Sequence, residues 1–451
     1  MTRHPTVKSR DLFSSQPFLM PWPTAVAEAE PVPEASCQTP AVTVADALRD
    51  AFPDRPSGKV FIDAALSAVN DSEPFAAMAV RIDLPCSDSQ DSPPAPTDAI
   101  AVATAVAAVL EAAGGLWGFI EEDLMGWVSP GGCAETAEET SAAIRESLQS
   151  LQSGTVITGI THYPLHTFTQ EETIRNTRKA VDHAAFFGPN ASAQFDAVSL
   201  NVSGDILYQN GDIDGAVTEF ETALAMDPAN ANILNSLGVC YGIKEDYDRA
   251  LGAFEAAIAA APQEVTALYN AGLIYQLKGN PEKALAFFTK AAPQGGDVFE
   301  IQFQIGKLLV ELERDEEALA YLEAAIDIDS SSAPACRLVG DILQRQGDTE
   351  AAIAEYKKAI RLHPNDADAL ASLGVLYADR GENLDLCITF TKQSVDIEPE
   401  NGRFRQHLAD LYRKAGLETE ALEEYRKAKD LGQPCEPIIH ELEARLTQAA
   451  S

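Results

Sequence analysis

Cysteine and histidine, the residues best suited to metal or nucleophilic chemistry, are scattered through this sequence without a usable pattern. The cysteines are Cys37, Cys86, Cys133, Cys240, Cys336, Cys387 and Cys435, and no Cys-x-x-Cys pair occurs. That spacing fits small buried side chains in a reducing compartment, not a disulfide framework or a zinc site. His162 and His166 are close, but Pro164 lies between them, so they cannot share a helix face and read as a solvated loop pair. There is no phosphate-binding Gly-x-x-x-x-Gly-Lys loop, no Gly-x-Ser-x-Gly elbow and no zinc motif. The expectation is a chain without enzyme activity, cofactor or metal.

Charge narrows the partners. The 451 residues carry a formal net charge of −36. A phosphate backbone needs clustered Lys and Arg, so nucleic acid is excluded as a partner. Acidity favours solubility and basic partners. The hydrophobic fraction, 46%, is that of a folded protein with ample core. Residues 100–120 are nearly apolar, but Glu111 interrupts them and basic anchors are missing. A buried helix, a Gly114-Gly115 break and a buried strand follow as the reading, without membrane insertion. The start of the chain is too proline-broken for a signal-peptide core, and the expected location is the cytoplasm.

The chain reads as multidomain. Residues 1–56, rich in Pro, Ala, Ser and Glu without a period, read as a disordered leader. Residues 57–196 read as α/β. Strand patterns occupy 75–83 and 156–163, and two apolar runs, 115–122 and 123–130, make a hairpin. Helical spacing covers about 97–113, 134–152 and 170–187, and a last strand is expected near Phe195. This is an α+β sandwich, helices packed on a five-stranded sheet.

From Ala197 a period of 34 residues runs to about residue 435. Position eight is Gly204, Gly238, Gly272, Gly306, Gly340, Gly374 and Ala409. Position twenty is Ala216, Ala250, Ala284, Ala318, Ala352, Cys387 and Ala421. Position twenty-four is large: Phe220, Phe254, Phe288, Leu322, Tyr356, then Thr391 and Tyr425. Each repeat is then a pair of antiparallel helices. The small residues let the axes approach and the large one fills the gap. No repeat buries its apolar face alone, so stacking stabilises the array. An insertion at 380–385, with Cys387, Thr391 and Ser394, predicts the least well packed interface in the sixth repeat. Residues 436–451 read as a capping helix with Ile439, Leu442 and Leu446 on one face.

These positions resemble the tetratricopeptide-repeat (TPR) family. The resemblance implies an all-α solenoid of about seven helix-turn-helix repeats that binds a protein or peptide in a concave groove lined by first helices. The usual groove positions fall on Asn201, Asp205, Asn235, Tyr269, Asn270, Phe303, Gln304, Lys307, Arg337 and Asp341. Asn side chains there would hold an extended backbone by hydrogen bonds.

Upstream, Gly159-Ile160-Thr161-His162-Tyr163-Pro164 and Gly188-Pro189-Asn190 resemble segments of the GGDEF (diguanylate cyclase) family. That resemblance implies a signature at Glu121-Glu122-Asp123-Leu124-Met125 and a metal-binding acid at Asp83. The chemistry is lost there. Two bulky acids replace the glycines that admit GTP, Leu124 stands at the catalytic acid position, and Asp83 alone cannot hold Mg²⁺ between phosphates. The implied role is a degenerate, inactive GGDEF-like domain at 57–196, kept for protein contact or a homodimer. The alternative is a sensor of GTP or cyclic-di-GMP that relays to the repeats.

Overall fold

The structure, a computed structural model, describes residues 44–70, 73–83, 96–149, 154–295 and 298–450. They form two compact units, the first ending at Asn270 and the second beginning at Ala271.

The first unit opens with helices α1 (Val44–Ala51) and α2 (Lys59–Ala68), followed by β1 (Phe75–Asp83), α3 (Pro96–Ala113), β2 (Leu116–Glu121), β3 (Leu124–Pro130), α4 (Ala134–Leu148), β4 (Thr155–Tyr163), α5 (Gln170–Ala185) and β5 (Ser192–Gln194). The five strands run in the order β2-β3-β1-β4-β5. β1 is antiparallel to both neighbours, and β5 is parallel to β4. Alternation along β1 divides the core in two, because successive side chains leave a strand on opposite faces. Ala76, Met78 and Val80 join Leu48, Val106, Leu110 and Ile144 under α1, α3 and α4. Phe75, Ala77 and Ala79 join Phe61, Ile62, Ile174 and Val181 under α2 and α5.

Helix α1 corrects one expectation. The reading of 1–56 as leader lies outside the described residues up to 43, but it fails beyond them. Leu48 is fully buried in the α3/α4 core, and Arg49 pairs with Glu122 at 2.8 Å. One leucine in a short, charged, Ala-rich stretch gives no period to read, and tertiary packing supplies the helix. His162 corrects another. It lies on β4 opposite Ala76, not in a loop, while His166 follows the turn and reaches the Ala225 carbonyl at 3.1 Å.

The repeats begin in the same unit with α6 (Ala197–Gln209), α7 (Ile213–Met226), α8 (Ala231–Ile243), α9 (Tyr247–Ala260) and α10 (Val265–Leu277), whose residues to Asn270 belong here. Leu224, Leu234, Ala257, Ile258 and Ala267 form one cluster from four helices, so neighbouring repeats share a core. Helix α5 packs against α6 as a further element of the stack. Lys179 reaches both carboxylate oxygens of Glu219 at 2.8 Å, and His183 Nδ1 lies 3.1 Å from Ser199 Oγ.

The second unit continues with α11 (Pro281–Gly295), α12 (Phe299–Glu311), α13 (Asp315–Ile328), α14 (Ala333–Gln346), α15 (Thr349–Leu362), α16 (Ala367–Asp379), α17 (Leu384–Ile397), α18 (Gly402–Lys414), α19 (Glu418–Asp430) and α20 (Glu436–Ala450). Packing at position eight follows the spacing. A Cβ on Gly238 would stand 2.5 Å from the Phe254 ring, and one on Gly272 2.7 Å from Phe288. In the sixth repeat a Cβ on Gly374 would again meet the position-twenty-four side chain first, Thr391 Oγ1 at 2.4 Å, and then the Cys387 carbonyl oxygen at 2.9 Å. Cys387, Thr391 and Ser394 are fully buried, and both hydroxyls donate to backbone carbonyls of their own helix. At the end, Ile439 and Leu442 pack on Ala421, Leu422 and Tyr425, with Leu446 beside them.

Candidate functional site

The first helices of the repeats place the ten groove positions at different depths. In the first unit Asn235 and Asn270 are wholly buried, and Asn270 Nδ2 donates to Asn235 Oδ1 at 3.0 Å. Tyr269 is buried beside them. One repeat earlier, Asn201 and Asp205 are partly exposed, and Asn201 Nδ2 donates to Asp205 Oδ2 at 3.2 Å. Two buried atoms in this row, Asn235 Nδ2 and Asn201 Oδ1, have no hydrogen-bond partner. Leaving such groups unmade costs about 1–3 kcal/mol each.

Asp205 is the electrostatic exception. Burial alone pushes its carboxyl up to about 7. The surroundings behave consistently. Burial raises Cys240 to about 12 and raises Tyr208, and the Asp205 charge adds to both.

In the second unit Phe303 stacks on Phe299, with ring centroids 5.5 Å apart. Gln304 Oε1 is buried without a partner, and Lys307 is partly exposed on the same helix. Arg337 is surrounded by carboxylates: Asp341 at 3.4 Å, Asp366 at 3.5 Å and Asp368 at 4.0 Å. Asp341 also accepts from the Tyr356 hydroxyl at 2.7 Å. Burial lifts the Asp341 and Asp366 carboxyls, and Arg337 opposes it at both. Asp366 escaped the sequence reading because it looks like a helix cap. It is one, accepting from Ala369 N at 2.9 Å, and it faces Arg337 as well.

The hairpin residues are placed differently. Glu121 ends β2, Glu122 and Asp123 make the turn, and Leu124 and Met125 are buried in the two cores. The turn is tied to the protein by arginines. Arg178 bonds Glu121 and Asp182, Arg81 lies 3.4 Å from Asp182, and Arg49 holds Glu122. Asp83 is exposed at the end of β1, opposite Thr155. Among the described residues no group of three His, Cys, Asp or Glu side chains could hold a metal, and no helix is long and apolar enough to cross a membrane.

Family profiles described as TPR repeat match residues 204–242 and 340–381, and profiles described as tetratricopeptide repeat match 244–299 and 299–332. The C-terminal half carries tetratricopeptide repeats. Solved structures similar to these TPR repeats include YrrB, described as a TPR protein with an unusual peptide-binding site. It is 25% identical over 40% of this chain and 92% of its own, with a TM-score of 0.37. A tetratricopeptide repeat protein from Parabacteroides merdae is 18% identical over 55% of this chain and 96% of its own, with a TM-score of 0.40. The pilF protein of Pseudomonas aeruginosa is 18% identical over 48% of this chain and 97% of its own, with a TM-score of 0.42. No curated protein matches the sequence.

Proposed function

We propose that this protein is an interaction scaffold whose TPR first helices take an extended segment of a protein partner. Unspent hydrogen-bonding capacity on those helices carries the reading. The Gly, Ala and aromatic positions are consumed in packing, whereas the partly exposed Asn201 and Gln304 each keep an unpartnered carbonyl, Oδ1 and Oε1. Native folds pair nearly all such groups. A peptide backbone offers the N–H that these side chains lack. The face is also mixed in character, with the Phe299–Phe303 stack beside Lys307, as protein interfaces are. A photo-crosslinking residue in place of Phe303, in the full chain, tests this. Covalent capture of a partner through that side chain is the expected outcome.

The α/β part fits the reading as a degenerate GGDEF-like domain that has kept a fold and given up cyclase chemistry. Its support is the sheet order around a hairpin whose turn is tied up by Arg178 and Arg49. Leu124 in the core cannot act as an acid. Incubation with GTP and Mg²⁺ is expected to yield no cyclic-di-GMP, and its formation would overturn this half of the proposal.

A further inference from the structure

Asp205 is a largely buried carboxyl that pairs with no cation among the described residues. Its side chain accepts from Asn201 Nδ2, and the other end of that amide, Asn201 Oδ1, is buried and unpartnered. The two acceptors thus belong to neighbouring turns of one helix and are joined by a hydrogen bond. Two acceptors, one of them charged, ask for a group with several N–H donors. A lysine or arginine side chain supplies it, and a chain of net charge −36 favours a cationic partner at long range.

We propose that Asp205 and Asn201 form a cation subsite for a Lys or Arg side chain of the partner segment. This rests on the scaffold reading and names the partner's chemistry.

The other charged groups nearby are engaged. Just after α8, Lys244 pairs with Asp214, and Tyr241 of α8 donates to Glu221 of α7 at 2.7 Å. On α7, Glu219 is held by Lys179 of α5, and His183 of α5 lies against Ser199 and 3.5 Å from Asp196. Tyr208 on α6 and Cys240 on α8 are both raised and stay neutral. Burial lifts the Asp205 carboxyl to about 7. A bound cation favours its ionised form. Below about pH 7 a proton must leave before the cation enters, so affinity falls up to about tenfold per pH unit there and is flat above.

The test uses the full chain and fluorescein-labelled, Ala- and Ser-based nonapeptides with a central Lys, Arg, Gln or Glu, read by fluorescence anisotropy. At about pH 8 the Lys and Arg peptides are expected to bind at least about tenfold tighter than the Gln peptide. That advantage shrinks at about pH 6. Asp205→Asn, whose fold is checked by its thermal melt, abolishes the advantage. Equal binding of Lys and Glu peptides, or a Lys preference that survives in D205N, would overturn the subsite and leave the scaffold reading standing. No binding of the Lys and Arg peptides overturns it too. The scaffold reading then stands or falls on capture through Phe303, which does not involve Asp205.

Discussion

Gly159→Ala is expected to destabilise the first unit by roughly 3–5 kcal/mol, among the largest effects of any single methyl group. The reason is what the new Cβ would meet. On the α5 side of β4 it would stand 2.2 Å from the Thr177 carbonyl oxygen, 2.4 Å from Val181 N and 2.8 Å from the Ala180 carbonyl carbon. All three are backbone atoms of α5, so no rotamer change relieves the clash. The helix must back away as a body. In doing so it loosens the Ile174 and Val181 contacts with the sheet, and it pulls on Lys179 and His183, which hold the first repeat. Urea unfolding followed by the fluorescence of Trp117 and Trp127, both buried in this unit, measures the loss. A change below about 1 kcal/mol would mean that α5 is not packed as closely as the structure has it.

Asp205→Asn is expected to act in the opposite direction. The folded chain holds the Asp205 proton up to about 7, against an ordinary value of 3.8. Its stability contribution is therefore most favourable below the ordinary carboxylate range. It is lost as pH rises from about 4 to about 7, and it stays lost above. Asn keeps the shape and the acceptor for Asn201 and removes the charge. The variant should match the wild type near pH 4 and exceed it by about 2–4 kcal/mol near pH 8, after discounting for the partial exposure of the group. Urea midpoints of both proteins across that range give the difference directly. A variant no more stable than the wild type near pH 8 would contradict the burial argument. A carboxylate that weakens its own fold is what a binding residue looks like when stability and use conflict.

The repeats were legible because a 34-residue period fixes type, not merely polarity, at each position. Gly238 against Phe254 and Gly340 against Tyr356 are contacts that the spacing already implied. Strands β1 and β4 were legible as well, since both are buried runs with sharp ends. Depth was harder to read. Asn235, Tyr269 and Asn270 occupy positions that face a groove by rule, yet adjacent first helices close over them and the two amides satisfy each other in part. Spacing gives the face a residue is on, and only packing decides whether a solvent path reaches it. The sixth repeat shows the same limit. Thr391 and Ser394 stand where a large residue and an alanine are usual, and both hydroxyls are buried on carbonyls of their own helix, a bond that residue type alone does not reveal. In the hairpin, loss of chemistry could be read from Leu124. The arginines that occupy the turn could not, because Arg49 and Arg178 are far apart in sequence.

The central claim is that the first helices, not the outer surface, receive the partner. Photo-crosslinking in the full chain tests it most directly, with the reactive residue placed either at Phe303 on α12 or at the exposed Ala320 on the second helix α13. The account predicts a covalent partner adduct from position 303 and none from position 320. An adduct from 320 with none from 303 would contradict it.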